Sequence, residues 1–282
     1  MKKKTAVITG ASSGFGFLTT IELAKEGFYV LATMRDLSKR EKLVETLTDL
    51  GLQDYVDFQR LDVTKEQSIQ EFGSILEGFE QITLLVNNAG FALGGFAEEV
   101  TVEEYRKQFD TNFFGLIAVT KAVLPHMRKQ QYGKIINIGS ISGQIGFPGL
   151  SPYVSSKYAL EGFSECLRLE VNPFGIDVVL IEPGSYNTNI WTTGKQIAQK
   201  SLHIESPYNP MMEKVEREIA KGQSSLGDPM DVVRLICSIA TKKSKTTKLR
   251  YSIGKGVKAS IFLKNCLPWR LWEIIVLKRL FK

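Results

Sequence analysis

Cysteine and histidine are both scarce in this chain of 282 residues, with three of the first and two of the second. Cys166, Cys237 and Cys266 are odd in number and far apart. That pattern argues against a disulfide framework and a zinc site, and it makes a reducing cytoplasm the expected compartment. A histidine metal site or a Ser-His-Asp triad would have to use His126 or His203, and neither lies in a metal-ligand spacing. Long apolar runs are missing too. Met1 to Lys4 imitates the basic end of a signal peptide, but the apolar Ala6-Val-Ile8 stops at Thr9-Gly10. The uncharged stretch from Ile135 to Ser156 is broken by Gly143, Gly146, Pro148, Gly149 and Pro152, whereas a membrane span needs about 20 largely apolar residues. The chain is therefore not expected to cross a membrane.

What is present is an ordinary globular composition, 43% hydrophobic and 23% charged, enough for a sizeable core. Charge is uneven. From Lys242 to the end there are twelve Lys/Arg and one acid, Glu273, a net +11 in a chain of +6, so the remainder carries −5. The basic balance belongs to the tail.

Short β-branched runs alternate with helical stretches. The strand candidates are Thr5–Thr9, Tyr29–Thr33, Val56–Arg60, Thr83–Asn87, Lys134–Ile138, Asp177–Glu182 and Leu249–Ile253. Most are continuously apolar, as expected for strands covered on both faces. Thr64-x-x-Gln67 and Thr101-x-x-Glu104 are capping-box patterns, and Asp228-Pro229 places a capping acid before a first-turn proline. Strands separated by helices of this length imply parallel pairing through crossovers, without a linker from Thr5 to about Ile253. We expect one domain over 1–255, with a basic tail at 256–282. In such a sheet, ligands sit beyond the carboxyl ends of the strands.

Gly10-Ala-Ser-Ser-Gly14-Phe-Gly16 follows the first strand and opens a helix. Glycines there let the backbone turn tightly and approach a pyrophosphate, which meets the N–H groups of the helix start. A tight turn alone also needs glycine, so position gives the motif its weight. The spacing is G-x-x-x-G-x-G. Together with Asn87-Asn-Ala-Gly90 and Tyr153-x-x-x-Lys157, it resembles the short-chain dehydrogenase/reductase family over nearly the whole chain. That resemblance implies a Rossmann-like, doubly wound parallel sheet of about seven strands with helices on both faces. It also implies roles for single residues: Gly10, Ser12, Ser13, Gly14, Phe15 and Gly16 at the pyrophosphate; Asp62-Val63 at the adenine; Asn88 with Ala89 and Gly90 near the adenosine ribose; and Pro183, Gly184 and Thr188 at the carboxamide. Phe15 stands where many members carry a smaller aliphatic residue.

The second strand ends Ala32-Thr-Met34-Arg35-Asp36. An acid at its end would bind a ribose 2′-OH and repel a 2′-phosphate. By the resemblance Met34 occupies that place, and the guanidinium of Arg35 suits a phosphate. NADP(H) is the expected cofactor, with NAD(H) as the other option. The competing reading makes Arg35 a solvated charge and Asp36 a helix cap.

Ser151-Pro152 reads as an N-cap and first-turn proline, which puts Tyr153 and Lys157 one turn apart on one helix face. A tyrosine titrates near 10, too high for a base at neutral pH. A cation about 4 Å away would contribute roughly 4 kcal/mol at an effective dielectric near 20, enough to bring Tyr153 near 7. The family resemblance completes the site with Ser140, which orients the substrate oxygen, and Asn112, which holds a water in a proton path through Lys157. The expected reaction interconverts a carbonyl and an alcohol. A non-catalytic NADP(H)-sensing regulator is the alternative.

The segment 185–227, where the family closes over substrate, carries Tyr186, Trp191, Ile204, Tyr208, Met211 and Met212. These suit an apolar alcohol or ketone, or equally lid-to-body packing. The run through Leu37 and the long tail resemble the 17β-hydroxysteroid and retinol dehydrogenase-like branch. From Leu267 to Lys282 the tail mixes Trp269, Leu271, Trp272, Ile274, Ile275, Leu277 and Leu280 with Arg270, Lys278, Arg279 and Lys282. It reads as a helix packed on the body or a subunit, which we favour, or as an amphipathic helix on an anionic membrane. No nucleic-acid module is recognised. The resemblance implies a homo-oligomer.

Overall fold

A computed structural model of the chain describes residues 4–191, 194–222, 226–242 and 247–281, the Trp191 side chain and those of 219–221 and 279–281 excepted. Met1–Lys3 and Lys282, and the side chains of Trp191, Arg279 and Leu280, on which some expectations rest, lie outside the described residues.

The first half runs β1 (Thr5–Thr9), α1 (Gly14–Lys25), β2 (Tyr29–Met34), α2 (Glu41–Asp49), β3 (Val56–Arg60), α3 (Glu66–Leu76) and β4 (Ile82–Asn87). A short β5 (Ala92–Gly94), α4 (Val102–Phe109), α5 (Gly115–Gln130), β6 (Gly133–Ile138), α6 (Ser151–Val171) and β7 (Ile176–Pro183) follow. The chain continues through β8 (Lys195–Ile197), α7 (Asn209–Gly222), α8 (Pro229–Thr241), β9 (Arg250–Ile253), α9 (Val257–Cys266) and α10 (Trp269–Phe281).

Seven strands form one sheet in the order β3-β2-β1-β4-β6-β7-β9, with every neighbouring pair parallel. Alternate residues of each strand supply two cores. Ala6 and Ile8 of β1 pack with Leu23 of α1, Leu43 of α2 and Ile236 of α8. Val7 faces the other way, with Phe72 of α3, Val123 of α5 and Leu167 of α6. The sheet is thus covered on both faces, which explains the continuous apolar runs. β1 sits between β2 and β4, where the strand order reverses, and a crevice opens beyond its carboxyl end.

Two local expectations fail for identifiable reasons. Thr64 does not cap α3: its N–H and hydroxyl both donate to Oδ1 of Asp62, at 3.0 and 2.7 Å, and Lys65 takes the cap position. The Asp two residues back offers a closer acceptor than the helix does. Ser151 is the first residue inside α6 rather than its cap, and its Oγ lies 2.6 Å from the Tyr105 hydroxyl. Thr101 with Glu104 forms the full capping box, and Asp228 accepts from the Met230 N–H.

The parallel pair β5–β8 lies outside the main sheet. α10 packs against α7. Trp272 is buried there, but Trp269, Leu271, Ile274, Ile275 and Leu277 are exposed. Among the described residues no helix is long and apolar enough to cross a membrane.

Candidate active site

A cleft of about 400 Å³ opens at the crevice. It gathers every residue assigned above to cofactor or catalysis except Gly16, which lies behind its wall. At one end are the glycine turn, Arg35 and Asp62; at the other are Ser140, Tyr153 and Lys157.

The glycine turn is held from behind. Gly10 has φ +69°, and a Cβ there would stand 2.9 Å from the Ala89 Cα. At Gly16 a Cβ would run into the Gly10 carbonyl and come within 2.5 Å of the Asn88 amide nitrogen. Asn88 Nδ2 donates to the carbonyls of Thr9 and Gly10, both at 3.0 Å. Thr9 Oγ1 accepts from the Asn88 and Ala89 N–H groups at 2.9 and 3.0 Å. Asn88, expected beside a ribose, thus spends its amide clamping β4 onto the turn. The result is a bare backbone ledge at the start of α1, free of Cβ atoms where a phosphate would lie.

Beyond β2, Asp36 lines the cleft beside Arg35, with one carboxylate oxygen engaged by Ser38. Its Oδ1 accepts from the Ser38 N–H at 3.0 Å and from its hydroxyl at 2.8 Å, and these bonds hold the carboxyl below the usual range. Arg35 makes no hydrogen bond or close ion pair among the described residues. Lys39 lines the same end of the cleft. Sequence reading missed Lys39, although its place four residues after Arg35 was the available signal.

α6 carries Tyr153 and Lys157, both buried. Lys157 Nζ donates to the Ile138 carbonyl at 2.7 Å, at the end of β6, and lies 5.7 Å from the centroid of the Tyr153 ring. Burial pushes the Tyr153 phenol up to about 12, opposed by its hydrogen bond to Ser140. Desolvation thus works against the expected lowering of Tyr153 towards 7, and the Lys157 ammonium is drawn to the Ile138 carbonyl. Burial pulls Lys157 down to about 8, with the Glu161 charge opposing. Ser140 Oγ accepts from the Ser142 N–H at 3.1 Å, leaving the hydroxyl proton for another acceptor.

Asn112 sits in a π-helical turn, Asp110–Phe114, between α4 and α5. Such turns redirect side chains and recur at functional sites. Its side chain accepts from the Phe91 N–H at 3.1 Å and donates to the Phe91 carbonyl at 3.0 Å and Ser156 Oγ at 3.4 Å. The amide braces the segment after β4 and leaves the second lone pair of Oδ1 for any water held there.

Behind α6, Glu161 and Glu182 share the Gln144 amide at 3.2 and 2.8 Å. Arg250 Nε donates to Glu161 at 2.9 Å, while Oε1 of Glu161 has no partner. Burial pushes Glu161 up to about 8; Arg250 opposes this and the Glu182 charge adds to it. A carboxyl raised on folding stabilises fully below its ordinary value, and that contribution is lost as pH rises towards 8. Glu161→Gln should therefore flatten the fall in stability between pH 5 and 8 by roughly 2–4 kcal/mol. Urea midpoints at both pH values check this, and parallel falls in the two proteins would refute it.

The lid residues divide. Tyr186 is buried, its ring edge-on to Phe15 at 5.8 Å. Tyr208 stacks on Phe96 at 4.8 Å and donates to Glu98 at 2.6 Å, and Ile204 faces solvent. Of the lid residues named from the sequence whose side chains are described, Tyr186 alone lines the cleft; Ile190 of the same segment, with Phe91 and Ile138, lines it too and was not singled out.

Residues 4–198 match the family model for short chain dehydrogenases. The chain is 50% identical over 281 residues, the full length of both, to the uncharacterized oxidoreductase YusZ of Bacillus subtilis (strain 168). It is 38% identical over 94% of its length to a 3-ketodihydrosphingosine reductase of Bacteroides thetaiotaomicron, covering 93% of that protein. Retinol dehydrogenase 8 of Homo sapiens is 35% identical, with 88% of this chain and 83% of that one covered. Among solved structures, ElxO with NADP bound superposes with a TM-score of 0.76 at 28% identity, over 91% of this chain and 99% of that one. A short chain dehydrogenase/reductase from Burkholderia phymatum in complex with NAD gives 0.77 at 25%, over 99% and 96%. With that match and the cleft's glycine ledge, the chain belongs to the short-chain dehydrogenase/reductase family and is an oxidoreductase that uses a nicotinamide nucleotide.

Proposed function

We propose that the chain is an NADPH-dependent reductase of a lipophilic ketone or aldehyde, with Tyr153 as proton donor. The observation that carries the reading is the Tyr153 phenol in the cleft, hydrogen-bonded to Ser140 and beside Lys157. The glycine turn, Arg35 and Lys157 would hold the cofactor, which when bound would supply a hydride for the carbonyl carbon. As charge develops on the carbonyl oxygen, the Ser140 hydroxyl orients it and the Tyr153 phenol gives it a proton. Lys157 lies beside the ring, where its positive charge offsets the phenolate left behind. Tyr153 regains its proton from solvent before the next turnover.

The choice of NADPH rests on Arg35 and Lys39 at one end of the cleft and on Asp36 being occupied by Ser38. A 2′-phosphate would meet two cations there, with the Asp36 carboxylate engaged by Ser38. Phe91, Ile138, Ile190 and Tyr186 give the other end an apolar wall. The relatives named for a keto-sphingoid base and for retinol support a lipophilic substrate. We take 185–227 as the lid over it, with Lys195 of β8 tied to Glu216 of α7 at 3.4 Å.

Arg35→Ala tests the reading. Against a panel of hydrophobic ketones it should raise the NADPH KM about 10- to 100-fold, the worth of a charge-assisted phosphate contact. The NADH KM should stay within about 2-fold. Equal weakening of both cofactors would remove the NADPH assignment.

A further inference from the structure

The carboxyl-terminal hairpin concentrates exposed large apolar side chains in a short stretch of chain. α9 and α10 are joined at Leu267-Pro268. Val257 and Trp272 are buried and seat the hairpin. Phe262 is 70% exposed and Trp269 68%, and Leu263, Leu271, Ile274, Ile275 and Leu277 are exposed as well. The apolar residues of α10 run all round the helix, a pattern that calls for cover on more than one side. α7 covers one side. Among the described residues nothing covers the rest, and isolated exposed side chains would need no explanation where a contiguous patch does.

Charge decides what the cover is. Lys255, Lys258, Lys264, Arg270 and Lys278 accompany these residues, with Glu273 as the one acid between 254 and 278. A second copy docking through a two-fold would set this basic surface against itself, and like charges face to face are costly. An anionic lipid surface accepts both features: the indole and aliphatic side chains enter the headgroup boundary, and the ammonium and guanidinium groups stay among the phosphates. Both helices are too short to span a bilayer, so the hairpin lies on it.

We propose that α9–α10 docks the protein on anionic membranes, with Leu271, Ile274 and Ile275 as the inserting stripe of α10. The hairpin packs on α7, and α7 is tied to β8, whose Gln196 lines the cleft. Docking thus sets the lid side of the cleft next to the lipid. The binding itself is independent of the reaction proposed above.

Flotation of the full chain with vesicles tests this, using phosphatidylcholine alone or mixed equally with phosphatidylglycerol, at 0.1 and 0.5 M salt. The parent should float with the anionic vesicles at 0.1 M, at least ten-fold more than with the neutral ones, and less at 0.5 M. Leu271→Glu with Ile275→Glu should abolish flotation. Because both positions are exposed, melting temperature and turnover of a small water-soluble ketone should be unchanged, which separates a docking defect from misfolding. Trp269→Ala, the second variant, should weaken flotation without adding a repulsive charge. Absence of parental flotation would overturn the proposal. So would flotation that survives the paired substitution. A parental dimer in solution that the same pair dissociates would assign the face to a second copy instead.

Discussion

Tyr153→Phe should lower kcat by about 10²- to 10⁴-fold, the range a positioned proton donor contributes, while the NADPH dissociation constant stays within about 3-fold. The substitution is nearly isosteric in a buried site, so a loss of turnover would not reflect a collapsed core. It removes the one phenol that reaches Ser140 and sits beside Lys157. Stopped-flow binding and steady-state rates separate the two effects. A variant that keeps more than about a tenth of parental turnover would take proton donation away from Tyr153.

The second large effect belongs to the glycine turn, where two glycines two residues apart should behave differently. Gly16→Ala puts a methyl against the Gly10 carbonyl and the Asn88 amide, the clamp that holds the ledge. We expect a loss of roughly 2–4 kcal/mol in stability from overpacking. NADPH affinity should fall at least about 100-fold, because the N–H groups no longer converge. Gly14→Ala meets only Thr188 at 3.6 Å, and its cost is the φ of +57°. That variant should lose about 1 kcal/mol and keep most of its affinity. Titration of cofactor and thermal melts of both proteins check the contrast. Equal effects at the two positions would show that the turn is not organised by the Asn88 clamp.

The main sheet was readable because its strands are buried on both faces. β1, β4, β6 and β7 appear in the sequence as largely apolar runs, and their ends fall within a residue or two of expectation. β5 and β8 were not readable. Three residues give no periodicity, and their pairing joins segments about a hundred residues apart. The cleft was legible through Gly, Tyr and Lys spacings. The work done by the polar residues in it was less so. Asn88 and Asn112 each commit side-chain amide groups to the backbone, which only three-dimensional packing reveals. The state of Tyr153 was less legible because a Coulomb estimate from spacing alone omits desolvation, which raises the phenol. The two readings of the lid could not be separated in the sequence because an apolar composition does not say which side a residue faces: Tyr186 turns to Phe15, and Tyr208 to Phe96.

The central claim is that this cleft reduces a carbonyl. Its most direct test is the stoichiometry of alcohol formed to NADPH consumed by the parent chain, measured across long-chain and cyclic hydrophobic ketones at neutral pH. The account predicts one alcohol per NADPH for at least one of them, at a rate abolished by Tyr153→Phe. Tight NADPH binding with no alcohol formed from any of them would contradict it and make the chain a nucleotide sensor.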